Sequence, residues 1–175
     1  IFSSDWKGDT DRSEPVDAYQ EVFDQGDEDW FVISDHNFGK LDRTMFQEGR
    51  AQADEFNKAH AGEFVAIYGV EWGKYFDTLG HANYLDSPKL ISWEDNDLFA
   101  REGDWETFYN HVWKNPGPYG PVAQFNHPYA PCFDAFRFVD WAMNAMRLVE
   151  TSNGWPEDAP EYFDSIRRAL SKGWR

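Results

Sequence analysis

The chain carries one cysteine, Cys132, among its 175 residues, which excludes an intrachain disulfide and any zinc site built from cysteines alone. No apolar run is long enough to span a bilayer and no signal-peptide pattern opens the sequence, so no membrane segment is expected. Glycine-rich phosphate cradles, a dinucleotide fingerprint and a Gly-x-Ser-x-Gly elbow are all missing. Cations are scarce. Sixteen Lys and Arg stand against 32 Asp and Glu, a formal net charge of −16. Such a field repels polyanions, and no nucleic acid polymer is expected as a partner. An initiator Met is also lacking before Ile1, and Ser171-Lys172-Gly173-Trp174-Arg175 reads as a helix stop running into a further strand. These features predict a single domain over 1–175, cut from a longer protein at both ends.

What is present in quantity is aromatic surface: nine Trp, eight Tyr and fifteen Phe, enough for one substantial core. Short apolar runs recur, and each ends in a residue with chemistry. Phe31-Val32-Ile33 runs into Ser34-Asp35-His36-Asn37, and Phe64 to Val70 ends in Glu71. Val122 to Asn126 meets His127-Pro128, and Arg147-Leu148-Val149 meets Glu150. A buried strand reads as such a run, and α/β sheets place their chemistry at the C-terminal strand ends.

Between these strands lie helix signals. Pro15 opens a helix that Gly26 stops, a longer helix covers about 44–61 with Gly62 beyond it, and Asp104 caps a helix over 105–114. The segment around 135–143 reads as helical, and a closing helix covers about 159–171. Gly80 to Leu85 alternates like a further strand or hairpin arm. Strands alternating with helices predict a mainly parallel sheet closed into a (β/α) barrel.

Asp, Glu and His at neighbouring strand ends suit divalent transition metals, because imidazole and carboxylate together bind zinc, manganese or iron. A bridging carboxylate such as Glu71 holds two ions close enough to activate a shared water. Glu71 after an apolar strand is costly unless paired, which favours a metal over a plain salt bridge. For His81 both a ligand role and a cross-strand hydrogen bond stand, and for Asp5 both a ligand and a turn former. Glu150 reads as structural or as a support for a ligand. His60, near a helix end, is accounted for by the helix dipole, and His111 by packing. Trp72 and Trp155 read as core before they read as substrate platforms.

Taken together, these residues resemble a known family. Ile33-Ser34-Asp35-His36-Asn37 resembles the Thr-Asp-His motif of the polymerase and histidinol phosphatase (PHP) superfamily. Gly69-Val70-Glu71-Trp72 with Gly80-His81-Ala82-Asn83 resembles its glycine-x-glutamate and following histidine. Gln124-Phe125-Asn126-His127-Pro128 resembles its histidine-proline motif, and Val149-Glu150-Thr151-Ser152-Asn153-Gly154 the strand and Asn-Gly loop after it. The Glu-Trp and Asn-His-Pro details are most similar to the carbaryl-hydrolase-like branch. The matches run through the whole chain in the family's order.

The resemblance implies a distorted (β/α)7 barrel with two or three divalent ions (Mn, Zn or Fe) at its mouth. It implies Asp5, His36, Glu71, His81 and His127 as metal ligands, although Trp6-Lys7-Gly8 stands where a glycine would follow Asp5 directly. Glu71 and Asp35 are the catalytic candidates, Asp35 by orienting an imidazole. Lys40, Arg43 and Lys74 follow ligand-bearing strand ends, where they would hold a substrate anion or serve as surface salt-bridge partners. The implied reaction is metal-dependent hydrolysis of a small anionic or ester substrate. A phosphoester comes first, with a carboxylic ester or carbamate as the alternative, and a non-catalytic binding module on the same fold is the competing class. The family's opening His-x-His and late Asp-x-His would fall just outside Ile1 and Arg175.

Overall fold

The computed structural model describes residues 14–37, 41–73, 80–91, 104–118, 120–128, 132–151 and 159–175. Asp5, Lys40, Lys74, Trp155 and the Ser152-Asn153-Gly154 loop lie outside these residues. Five strands form one sheet in chain order: β1 (Trp30–His36), β2 (Val65–Trp72), β3 (His81–Tyr84), β4 (Ala123–Asn126) and β5 (Met146–Val149). Among the described residues the helices are α1 (Pro15–Gln25), α2 (Arg43–Ala59), α3 (Trp105–Lys114), α4 (Cys132–Phe136) and α5 (Ala159–Ser171), with a 3-10 turn at Asp140–Asn144.

The expected barrel is not what the chain forms. The sheet is open and mixed: β1–β2 and β4–β5 pair parallel, while β2–β3 and β3–β4 pair antiparallel. The reason is chain length. Only Gly73 to Gly80 separates β2 from β3, too few residues for the crossover of a dozen or more that a parallel partner needs. β3 therefore returns antiparallel, and β4 reverses again. Among the described residues β1 and β5 are the two edges and do not meet.

Local chemistry sets the helix boundaries. Pro15 takes the first position of α1, Asp17 Oδ2 accepts from the Glu14 N–H at 2.8 Å, and Gly26 stops the helix in left-handed backbone. Asp42 and Asp104 cap α2 and α3 by accepting from the N–H groups of Met45 (2.8 Å) and Thr107 (2.7 Å). The predicted helix around 135–143 is replaced by α4 and the 3-10 turn. In α4, Phe133 to Phe136 have φ between +49° and +59°, a left-handed turn costing roughly 1–2 kcal/mol per residue. Burial of the Phe133 and Phe136 rings offsets that cost at about 1.5–3 kcal/mol each.

One face of the sheet is covered by helices. α2 comes close enough that a Cβ at Gly49 would collide with the Tyr68 ring, so only glycine fits there. Asn57 of α2 extends the ladder of β2, accepting from the Ala66 N–H at 2.7 Å and donating to the Ala66 carbonyl at 2.8 Å. On α3 and beyond, Trp72 stacks on Phe108, and Trp105 packs against Phe125 and Phe133. Beyond α5 lies a short tail, Lys172 to Arg175. Gly173 turns it, and Trp174 buries itself against Tyr109, Phe125 and Phe138 while its Nε1–H donates to the Phe136 carbonyl at 3.2 Å. Trp174→Ala is expected to cost about 3–5 kcal/mol of stability in urea unfolding. A loss below about 1 kcal/mol would mean that the tail is not part of the core.

Candidate metal centre

Strand direction decides where the polar residues meet. β1, β2, β4 and β5 run one way and β3 the other, so four C-terminal ends and the start of β3 share one end of the sheet. The register puts His36 opposite Glu71, Glu71 opposite Asn83, and His81 opposite Asn126. Because side chains alternate along a strand, His36, Glu71, His81, Asn83, Gln124 and Asn126 fall on the same face.

Glu71 is the hub. Its carboxylate is 4% exposed, and Oε1 lies 3.0 Å from His81 Nδ1, 3.3 Å from His127 Nε2 and 3.7 Å from His36 Nε2. The His81 and His127 rings meet edge to face at 5.6 Å. Behind His127 stands Glu150, whose Oε2 takes both the ring Nδ1 at 2.9 Å and the backbone N–H of His127 at 2.5 Å. His127 has φ +45°, a left-handed conformation that a non-glycine residue holds only where its surroundings enforce it. The double grip of Glu150 supplies that enforcement.

The charges follow from the packing. Burial alone would push the Glu71 carboxyl up, but the hydrogen bonds from His127 and His81 and the His36 charge bring it down to about 2. Burial would likewise lower His127, and Glu150 and Glu71 together raise it to about 10. The two carboxylates on either side of the ring, Glu71 and Glu150, thus favour the protonated form of His127.

Glu71, His81 and His127 can hold a metal ion. One donor atom from each lies within 4.8 Å of the others. Donors about 2.0–2.2 Å from a shared ion at the tetrahedral angle stand about 3.4 Å apart, close to the 3.0 and 3.3 Å found here. Glu150 on His127 Nδ1 leaves Nε2 as the atom facing Glu71, the arrangement that orients a ligating histidine. Carboxylate and imidazole together are a donor set for zinc, manganese or iron.

Of the residues singled out in the sequence, Glu71, His81 and His127 converge, with His36 at their side. Asp35 does not join them. It takes the Tyr68 hydroxyl, on the face that packs against α2. Arg43, the first residue of α2, lines a groove of about 540 Å³ with Phe46, Arg50 and Lys89, and no cluster side chain lines that groove. Trp72 is core, and His60 stacks between Phe23 and Phe56. Two buried polar pairs escaped the reading of the sequence: Ser34 donates to Asn83 Oδ1 at 2.8 Å, and Gln124 Nε2 donates to Asn126 Oδ1 at 3.0 Å. The polar-apolar-polar alternation of Gln124-Phe125-Asn126 was the available signal. No family model, curated protein or solved structure matches the chain.

The paired shifts make the metal-free protein's stability depend on pH from both sides. A depressed carboxyl such as Glu71 contributes fully above its usual 4.5 and loses that contribution as pH falls toward about 2. A raised imidazole such as His127 contributes fully below 6.5 and loses it as pH rises through about 10. Urea midpoints of the chelator-treated protein should peak between pH 4.5 and 6.5 and fall on both sides. His127→Gln should remove the alkaline decline attributed to that ring; an unchanged alkaline limb would refute the pairing.

Proposed function

We propose that this chain is a metal-dependent hydrolase of small esters, with phosphoesters as its first substrate class. The observation that carries the reading is the Glu71 carboxylate held between His81 Nδ1 and His127 Nε2 at 3.0 and 3.3 Å, at one end of the sheet. The PHP-type motifs support it, because three of the expected ligands, spread from position 71 to position 127, are the ones that come together.

Glu71, His81 and His127 would hold the ion. A bound divalent metal supplies Lewis acidity, lowering the pKa of water and stabilising negative charge on an ester or phosphoryl oxygen. The protein's own contribution is orientation and charge. Glu71 enters ionised, since its carboxyl sits at about 2, and needs no deprotonation before it ligates. His127 must lose its Nε2 proton on binding, while Glu150 keeps hold of Nδ1 and fixes the ring. His36, whose Nε2 lies 3.7 Å from Glu71 Oε1 and whose side chain is partly exposed, would exchange a proton or contact a substrate oxygen. Binding should therefore release protons and weaken as pH falls.

Glu71→Gln is expected to lower hydrolysis of p-nitrophenyl phosphate by about 100-fold or more in the presence of zinc or manganese, with the thermal unfolding transition retained. A p-nitrophenyl acetate assay beside it separates the phosphoester from the carboxylic-ester class. Wild-type rates from the variant on both substrates would overturn the catalytic assignment. Absence of any metal-stimulated turnover by the unmodified protein would favour a binding module instead.

A further inference from the structure

We infer that Asn37 and Gly73 form a positioning device that sets the His81 imidazole against Glu71. Its bearing on catalysis rests on the metal-site reading above; its geometry does not. Asn37 follows His36 at the end of β1. Its backbone N–H donates to the Glu71 carbonyl at 2.9 Å, and its side-chain Oδ1 accepts from the Gly73 N–H at 3.2 Å. The side-chain oxygen thus stands in for the next carbonyl of the strand. It extends the β1–β2 ladder by one rung beyond the point where the strand ends.

Gly73 is where that rung matters. It does not need left-handed backbone, so conformational freedom does not explain a glycine there. Space does. A Cβ built on Gly73 would fall inside the contact surface of the His81 ring at Cδ2, and within 2.8 Å of both Cγ and Nε2. The ring's other edge carries Nδ1, 3.0 Å from Glu71 Oε1. The imidazole is therefore held by its two edges, Gly73 backbone on one and the Glu71 carboxylate on the other. Together these contacts fix the ring's rotation and aim Nδ1 rather than carbon at the hub. If the Gly73 backbone shifts, the ring loses one wall.

The Asn37 amide carries a second sign. Its Nδ2 is buried and has no hydrogen-bond partner among the described residues. Turning the amide over would not help, since Nδ2 would then face the Gly73 N–H, donor against donor. A buried donor is left unpaired at a cost in free energy, and an apolar side chain would avoid it. The residue is kept for what its oxygen does to Gly73.

The test uses the full chain with cobalt(II), followed by its visible absorption. Gly73→Ala and His81→Ala should each weaken Co²⁺ binding by about tenfold or more, and the double variant should lose no more than His81→Ala alone. Asn37→Ala should behave like Gly73→Ala, and it carries the same cycle if Gly73→Ala does not fold. Asn37→Asp keeps the accepting oxygen without the NH2 and should restore binding. Losses that multiply in the double variants would overturn the inference. A metal-free arm separates it from the metal reading: in long-range ¹H–¹⁵N spectra, Gly73→Ala and Asn37→Ala should move the His81 ring nitrogens and leave those of His60 and His111 in place. If the unmodified chain binds no Co²⁺, the metal reading fails and the ring shifts still decide. Unmoved His81 nitrogens in both variants would end the proposal.

Discussion

A carboxylate buried at the end of a strand has to be compensated, and the site is arranged around that requirement. Glu71 is out of water, and an ionised group in that position is tolerated only with hydrogen-bonded or charged partners. The sheet delivers them. His36 arrives from the parallel neighbour β1, His81 from the antiparallel neighbour β3, and His127 from just past β4. Glu150, at the end of β5, then compensates the charge that His127 brings. Every strand of the sheet contributes one link, which ties the site's integrity to the strand order. Reversing β3 is what brings His81 to this end, because in β3 the histidine is the first residue and not the last.

That reversal also marks where sequence reasoning stopped. The apolar runs and their chemical endings were plain, and so were the caps: Pro15 and Gly26 around α1, Asp104 before α3. These signals are local, each resting on a few neighbouring residues. Sheet closure is a global property. Whether β1 and β5 meet depends on the length of each connection and on the sum of strand twists, and no single residue carries it. The short link from Gly73 to Gly80 was the one legible clue against a parallel crossover at that point. The left-handed α4 was hidden for another reason, since nothing in Cys132-Phe133-Asp134-Ala135-Phe136 asks for positive φ. What offsets it is burial of its two rings together with hydrogen bonds from residues far along the chain, such as Trp174 Nε1–H to the Phe136 carbonyl.

Within the site the pattern is similar. Glu71, His81 and His127 could be named from strand ends and ligand chemistry, but Asp35 could not be assigned to a face without the register. One residue of alternation separates it from His36 and turns it toward Tyr68 and α2. The supporting polar residues were invisible because their value lies in pairing: Ser34 with Asn83, Gln124 with Asn126, Asn37 with Gly73. The left-handed His127 and the Asn37 amide, whose Nδ2 has no partner among the described residues, both work against stability. Both lie beside the hub: His127 faces Glu71 Oε1, and Asn37 donates its backbone N–H to the Glu71 carbonyl.

The most direct measurement is zinc K-edge X-ray absorption on the zinc-loaded chain, compared with the Glu71→Gln and His81→Ala variants. A shell of nitrogen and oxygen donors near about 2.0–2.1 Å with outer-shell scattering from two imidazoles, reduced to one in His81→Ala, is the expected result. An oxygen-only shell, or an imidazole count that does not change when His81 is removed, would contradict the account.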